Sequence, residues 1–350
     1  MRSARNSQAT KQLTKTSMIV NICKTKVNDM KGQILKSLRD CSEYLSGETL
    51  SNQLGVSRVS IWKHIHSLEK DGYVIEAFPK GYKLISSPDL LLPYEFPWLE
   101  QRIHYFPEIG STMDVAKELA TKGAGEGTIV LAEAQVHGRG RLSREWLSPK
   151  GGIYFTLILR PEINPAYAPR INLMVSVAVA TTIRKLFGLK AELKWPNDVL
   201  IAGRKVCGIL AEMDAEMDVV NFVNVGIGIN ANTSIPQFEK TVTSLKDALG
   251  REISRKEFFS VLLVEIERQQ PLLMKADLLE EWKKLSVTLN KDVRIVAPGE
   301  VIVGRAIDID TSGALIIRER NGSFKKALAG DCIYLREEVP NTDMEAVSRK

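Results

Sequence analysis

Apolar positions recur at helical spacing near the start of the chain. Ile34, Leu35 and Leu38 form one stripe, Leu50 and Leu54 a second, and Ile61, Ile65 and Leu68 fall at i, i+4 and i+7 of a third. Gly55-Val56-Ser57 separates the last two by a tight turn whose Ser57 can cap the helix that follows, and Gly72 is placed to stop it. The period then shortens: residues 73–78 and 82–85 flank Pro79-Lys80-Gly81, the pattern of a β-hairpin with a basic tip. Helix, helix, tight turn, helix, hairpin predicts a winged helix-turn-helix over 28–86. With Ile61, Ile65 and Leu68 turned inward, the opposite face of the third helix offers Arg58, Ser60, Lys63 and His64, which with Ser57 and Lys80 can reach phosphates and base edges in a major groove. Trp62 is expected to pack rather than to read bases.

Breakers then interrupt the pattern. Ser86, Ser87 and Pro88, with Pro93 and Pro97, predict a linker over 87–98. Strand-like runs follow at 128–135, 153–159, 205–213 and 219–229, interleaved with helices over 112–122, behind a possible cap at Ser111, and over about 170–187. This predicts an α+β domain over 99–285 with a mixed or largely antiparallel sheet, closed by helices over 254–270 and 278–285. From 287 onward, short alternating strands with turns at Pro298-Gly299, Ser312-Gly313 and Asn321-Gly322 predict a β-rich domain over 286–337. Residues 1–27 and 338–350 read as polar tails.

Composition narrows the function. The 350 residues are 44% hydrophobic and 26% charged, a globular balance that excludes a disordered or fibrous chain. Residues 1–90 carry 14 Lys and Arg against 8 Asp and Glu, and the rest carry 34 of each, so the net charge of +6 sits in this N-terminal quarter of the chain. That asymmetry points to a polyanion partner for this segment alone. Cysteines at 23, 41, 207 and 332 form no CxxC and no zinc-ligand spacing, so no protein metal site is expected and a reducing, cytoplasmic setting fits. No apolar run approaches the ~18 residues of a membrane span.

The densest chemistry lies between the first two strands of the central domain. His137-Gly138-Arg139-Gly140-Arg141 leads through Arg144 and Trp146 to Ser148, Pro149, Gly151 and Gly152. Glycines let backbone amides approach an oxyanion, and guanidinium forks bind carboxylate or phosphate. An exposed basic loop is the plainer reading. No GxxxxGK[ST] occurs, and Gly226-Ile227-Gly228 runs into Asn232-Thr233-Ser234 rather than an opening helix, which rejects a dinucleotide fingerprint. Lys194-Trp195-Pro196-Asn197-Asp198 makes a polar turn after a short strand. Lys205 then opens an apolar strand, where an ammonium can meet developing negative charge or serve as an ordinary edge lysine. Asp198 is equally readable as a turn cap.

These motifs in order, with Gly208-Ile209-Leu210 and Gly228-Ile229-Asn230, resemble the biotin protein ligases, and the preceding winged helix is similar to the bifunctional ligase and operon-repressor members. The resemblance implies a small SH3-like barrel at the C-terminus. It implies that biotin's carboxylate attacks the α-phosphorus of ATP, with Mg2+, to give biotinyl-5'-AMP, and that a lysine of a biotin carboxyl carrier protein then displaces AMP. By position it assigns biotin binding to Ser111, Thr112, Gln135, Arg139, Gly140, Arg141 and Lys205. Arg141, Arg144, Trp146, Asp198 and Asn230 border the adenylate, and Lys205, Arg141 and Arg139 are the catalytic candidates. Operator DNA and a ligand-promoted homodimer are the further partners implied, with no membrane. Two positions depart from the family: Met113 stands where members often read Asn, and Leu142 where some carry another basic residue. The competing readings are a non-catalytic biotin-sensing DNA-binding regulator and a lipoate-type ligase.

Overall fold

A computed structural model describes residues 30–235, 239–297 and 299–335. The expected tails at 1–27 and 338–350, and Pro298, lie outside the described residues. The chain divides into two compact units: one ends at Phe106 and takes in Ser254–Lys256, and the other comprises Pro107–Ile253 and the chain from Glu257 on.

The first unit opens with α1 over 30–40, then α2 (Gly47–Leu54), α3 (Arg58–Lys70), and the antiparallel pair β1 (Val74–Phe78) and β2 (Gly81–Ser86), with β3 (Ile103–Phe106) after it. Ser57 caps α3 as expected, its hydroxyl accepting from the Ser60 amide at 3.2 Å, and Gly55 takes the left-handed conformation, φ 67°, that ends α2. Ile34, Leu35, Leu50, Ile61 and Leu68 are completely buried and make the core. Each such side chain stabilises the unit by about 1.5–3 kcal/mol relative to exposure.

Within the segment expected as a linker Leu91, Leu92, Tyr94 and Phe96 are buried, the apolar residues between its prolines having a core to join. Glu95 anchors it, accepting from Arg39 at 2.9 Å, from Lys256 at 3.2 Å and from the Tyr73 hydroxyl. Burial works to raise the Glu95 pKa, yet the Arg39 and Tyr73 hydrogen bonds and the nearby cations hold it below the ordinary carboxylate value.

In the second unit α4 (Thr112–Thr121), β4 (Ile129–Ala132), β5 (Ile153–Leu159), α5 (Pro169–Phe187), β6 (Ala191–Lys194), β7 (Asp198–Ile201), β8 (Arg204–Glu216) and β9 (Val219–Ile229) follow in order. The strands hydrogen-bond in the sequence β4-β5-β9-β8-β7-β6 through antiparallel ladders, and parallel bridges at Ile109–Gln135, Leu193–Ser286 and Lys205–Val242 make the arrangement mixed. All seven residues of β5 are buried, which is why it reads as an unbroken apolar run. α5 packs on β6, β7 and β8, with α8 (Ala276–Leu285) also against it; apolar residues round most of its circumference fit this enclosure. Between them lie α6 (Leu245–Leu249) and α7 (Arg255–Gln269).

The C-terminal strands β10 (Asp292–Ala297), β11 (Glu300–Ile309), β12 (Leu315–Arg318), β13 (Phe324–Ala327) and β14 (Asp331–Tyr334) form an antiparallel sheet in the order β13-β12-β11-β10-β14. β13 and β14 stand at opposite edges, and among the described residues no pairing closes the sheet into a barrel. This sheet hangs on the β6–β7 turn. The buried Trp195 donates its backbone amide to Thr288 Oγ1 at 2.9 Å and its indole N–H to the Gly313 carbonyl at 3.2 Å.

Candidate functional site

A cavity of about 150 Å3 is lined by, among others, Thr112, Gln135, Arg141, Trp146, Lys205 and Gly228. Lys205 enters it from a β-bulge: the β7–β8 register pairs Leu200 with Lys205 but Val199 with Cys207. The extra residue turns the side chain out of the regular alternation. Its backbone is locked, the Lys205 amide donating to the Thr241 carbonyl at 2.8 Å and its carbonyl accepting from Thr243 at 2.9 Å. The ammonium then lies 2.7 Å from Asp198 Oδ1, close enough for an ion pair though outside hydrogen-bond alignment, and 5.1 Å from the centre of the Trp146 ring.

Trp146 packs against the sheet at Gly208 of β8 and Gly228 of β9, which have no side chain to hold it off. A Cβ on Gly208 would stand 2.9 Å from the indole and one on Gly228 2.5 Å away. The glycine pair that imitates a dinucleotide motif is thus inside β9, serving as a shelf. Met113 uses the same device: buried, it sets its sulfur where a Cβ on Gly226 would approach to 2.6 Å.

The basic loop folds into a short hairpin, with Arg139 bridged to Glu145 and the Trp146 amide donating to the Gly138 carbonyl at 2.8 Å. At its tip Leu142 and Ser143 both adopt positive φ, 53° and 57°, a costly conformation for residues other than glycine. Its arginines diverge. Arg139 pairs with Asp114 at 3.0 Å and with Glu212. Arg141 donates to Asn197 Oδ1 at 3.1 Å and to the Gly330 carbonyl at 3.2 Å. Arg144 pairs with Asp331 of β14. Burial lowers the Arg141 pKa, with Asp331 and Asp198 opposing it, and a guanidinium so shifted is still cationic at neutral pH.

Beside the loop, Gln135 Oε1 accepts from the Thr112 amide at 2.8 Å and the Thr112 hydroxyl at 3.0 Å, while its amide donates to Ser148 Oγ at 2.9 Å. Gln135 therefore satisfies the start of α4. The expected cap at Ser111 is not formed: its hydroxyl makes no capping bond and is buried with no hydrogen-bond partner. Ser111 and Asn230 are not among the cavity-lining residues, whereas Thr112, Gln135, Arg139, Gly140, Arg141, Arg144, Asp198 and Lys205 are. Asn230 acts one step behind, donating at 3.2 Å to the carbonyl of Thr243, the residue whose amide fixes Lys205. Burial pushes up the pKa of the Cys207 thiol, and that of Cys332 to about 11, so neither is a nucleophile at neutral pH.

Sequence reasoning missed Asn197, Asp331, Gly330, Asp114 and Glu212. Asn197 sits inside a motif already singled out; the others carry no local signal.

In the first unit, Arg58, Lys63 and Lys80 are exposed, Ser57 and Ser60 stand at the α3 N-terminus, and His64 is half-buried. Burial, then the charge of Lys31, lowers the His64 pKa. Trp62 corrects an expectation: it is 56% exposed, because it falls between Ile61 and Ile65 but about 100° round the helix from the inward stripe.

The biotin/lipoate A/B protein ligase family matches residues 105–230, an HTH domain matches 31–83 and a biotin protein ligase C-terminal domain matches 288–335. The bifunctional ligase/repressor BirA of Bacillus subtilis (strain 168) is 37% identical over 305 residues, covering 83% of this chain and 94% of the relative. The chain belongs to the biotin protein ligase family. Its similarity extends to the bifunctional ligase/repressor BirA of Escherichia coli (strain K12), at 32% identity over 83% of this chain and 92% of that one. Among solved structures, biotin protein ligase from Aquifex aeolicus in complex with biotin and ATP aligns with a TM-score of 0.58 at 28% identity, over 67% of this chain and 99% of that chain.

Proposed function

We propose that this chain is an ATP-dependent biotin protein ligase that also binds operator DNA as a biotin-responsive repressor. The observation that carries the ligase reading is convergence: Lys205, Arg139, Arg141 and Arg144, from a bulged strand and a distant loop, line one cavity floored by glycines. Joining a carboxylate to a triphosphate brings two anions together, and fixed cations offset their repulsion and the charge growing on the phosphoryl oxygens. Biotin's carboxylate attacks the α-phosphorus, the bond to the pyrophosphate oxygen breaks, and biotinyl-5'-AMP forms. A carrier lysine then attacks the acyl carbon and AMP leaves.

Within that scheme Lys205 and Arg141 face the reacting carboxylate and phosphate. Arg139 and Gly140 close over biotin, and Trp146 and Arg144 border the adenylate. The unpartnered Ser111 hydroxyl, with Thr112 and Gln135, suits the polar ends of biotin, for a buried hydroxyl without a partner gains by acquiring one. Mg2+ is a companion of ATP: among the described residues no three His, Cys, Asp or Glu gather to hold a metal, and a phosphate-bound Mg2+ needs only one or two protein carboxylates. Asp198 and Asp331 line the cavity and can supply them.

The domain limits proposed are 28–86, 87–98, 99–285 and 286–337, and the C-terminal sheet is taken as an opened SH3-like barrel, on its five antiparallel strands and the bulge between Ala306 and Asp308. Among the described residues no helix is long and apolar enough to cross a membrane. Repression is read as dimer-dependent, since one winged helix buries a modest interface and a ligand shifts an equilibrium only by its differential affinity for the two states.

Biotin-dependent exchange of labelled pyrophosphate into ATP, and transfer of biotin to a carrier domain, test the ligase. Failure of both with folded protein leaves the non-catalytic sensor. Competition with lipoate separates the remaining reading.

A further inference from the structure

Two of the exposed aromatic rings of the first unit flank one groove. Trp62 on α3 and Phe78 at the end of β1 are each 56% exposed, although burying such a ring is among the most favourable things a side chain can do. Each is braced by a second ring. Trp62 stacks on His66, centroids 5.7 Å apart and planes 4° from parallel. Phe78 leans on Tyr44 at 5.3 Å, and Tyr44 is tethered by its hydroxyl to Glu76 at 2.6 Å. Bracing restricts the rotamers while leaving the outward faces open, so less freedom remains to be lost when something binds. Val59, one turn before Trp62 on the same face, is also exposed. Val59, Trp62 and Phe78, with Arg58, Pro79 and Lys80, line a groove of about 490 Å3 between α3 and the hairpin.

The groove's occupant must suit both its floor and its rim. Arg58 and Lys80 line it and Lys63 lies next to Trp62 in sequence; none has an acidic partner among the described residues, and Glu48 is the single acidic lining residue. A cationic rim selects a polyanion, and an apolar floor selects an apolar group displayed between its charges. The major-groove edge of duplex DNA presents one such group, the C5-methyl of thymine. We propose that Val59 and Trp62 read thymine methyls in the major groove, with Arg58 and Lys80 on the flanking phosphates. This rests on the DNA-binding reading above and adds an apolar base contact to it.

The test uses the full chain with biotin and ATP and a library of random duplexes about 40 base pairs long, enough for two half-sites. In the enriched duplex each thymine is replaced in turn by deoxyuridine, which deletes the methyl alone. At contacted positions the unmodified protein should bind about threefold to fourfold more weakly, the value of one buried apolar carbon. Trp62→Ala should bind the all-thymine duplex more weakly and lose those position-specific penalties; Trp62→Phe should recover part of them. Thermal unfolding establishes that each variant is folded, and Val59→Ser reports on the same groove should Trp62→Ala fail that check. Equal deoxyuridine penalties in the unmodified and variant proteins overturn the proposal while leaving DNA binding intact. Failure of the unmodified protein to enrich any duplex overturns the DNA-binding reading with it.

Discussion

Arg139, Arg144 and Lys205 each stand against a carboxylate of their own unit, whereas Arg58, Lys63 and Lys80 stand in the first unit with no acidic partner among the described residues. The two sets of cations face different kinds of anion. A cation that already holds a carboxylate is fixed in place, and an incoming anion must compete with that carboxylate for it, which favours ligands offering several contacts at once. Unpaired cations on an open face act together on a polyanion, and their binding energy comes largely from counterion release, which salt erodes.

The sharpest way to break this contrast is Lys205→Ala. Loss of one preorganised cation at the reacting phosphate should slow adenylation by about 100-fold to 1,000-fold, measured as pyrophosphate exchange. A loss under about threefold in folded protein would make Lys205 an ordinary strand-edge lysine.

Glu95 tests the contrast from the other side, since this carboxylate of the first unit holds two cations, Arg39 and Lys256. Glu95→Gln should cost about 1.5–3 kcal/mol of stability, the range for hydrogen bonds to charged groups, without changing the salt dependence of DNA binding. The sign of its pH dependence follows from its depressed folded pKa. Its contribution is complete above the unfolded value near 4.5 and is lost as pH falls through the lower folded value. Acid unfolding curves of the two proteins should therefore converge at low pH; a constant gap would show that the ionised carboxylate contributes nothing.

A smaller effect is expected at Lys63. Lys63→Ala should reduce the slope of log affinity against log salt by about 0.9 for each phosphate it ceases to neutralise, and by twice that in a dimer, weakening all sequences alike. An unchanged slope would place Lys63 off the DNA.

How much was legible depends on length and distance along the chain. β5 and β9 could be read at their observed limits because long apolar runs announce themselves, and α3 because its buried stripe is strict. β7 and α6, four and five residues long, are shorter than the patterns that reveal an element. Ser111 misled because capping was sought next door, while the Thr112 amide is satisfied by a glutamine from further along the chain. The carboxylates Asp114, Glu212 and Asp331 were invisible for the same reason: they lie 25, 73 and 187 positions from the arginines they hold.

The place of β14 fixes an order of assembly during synthesis. The helices and hairpin of the first unit leave the ribosome early, with most of their own core in hand. The arginine loop follows, but Gly330 and Asp331, which receive Arg141 and Arg144, are made nearly two hundred residues later. A nascent chain thus holds the core residues of its winged helix long before its arginine loop can meet the residues that receive it.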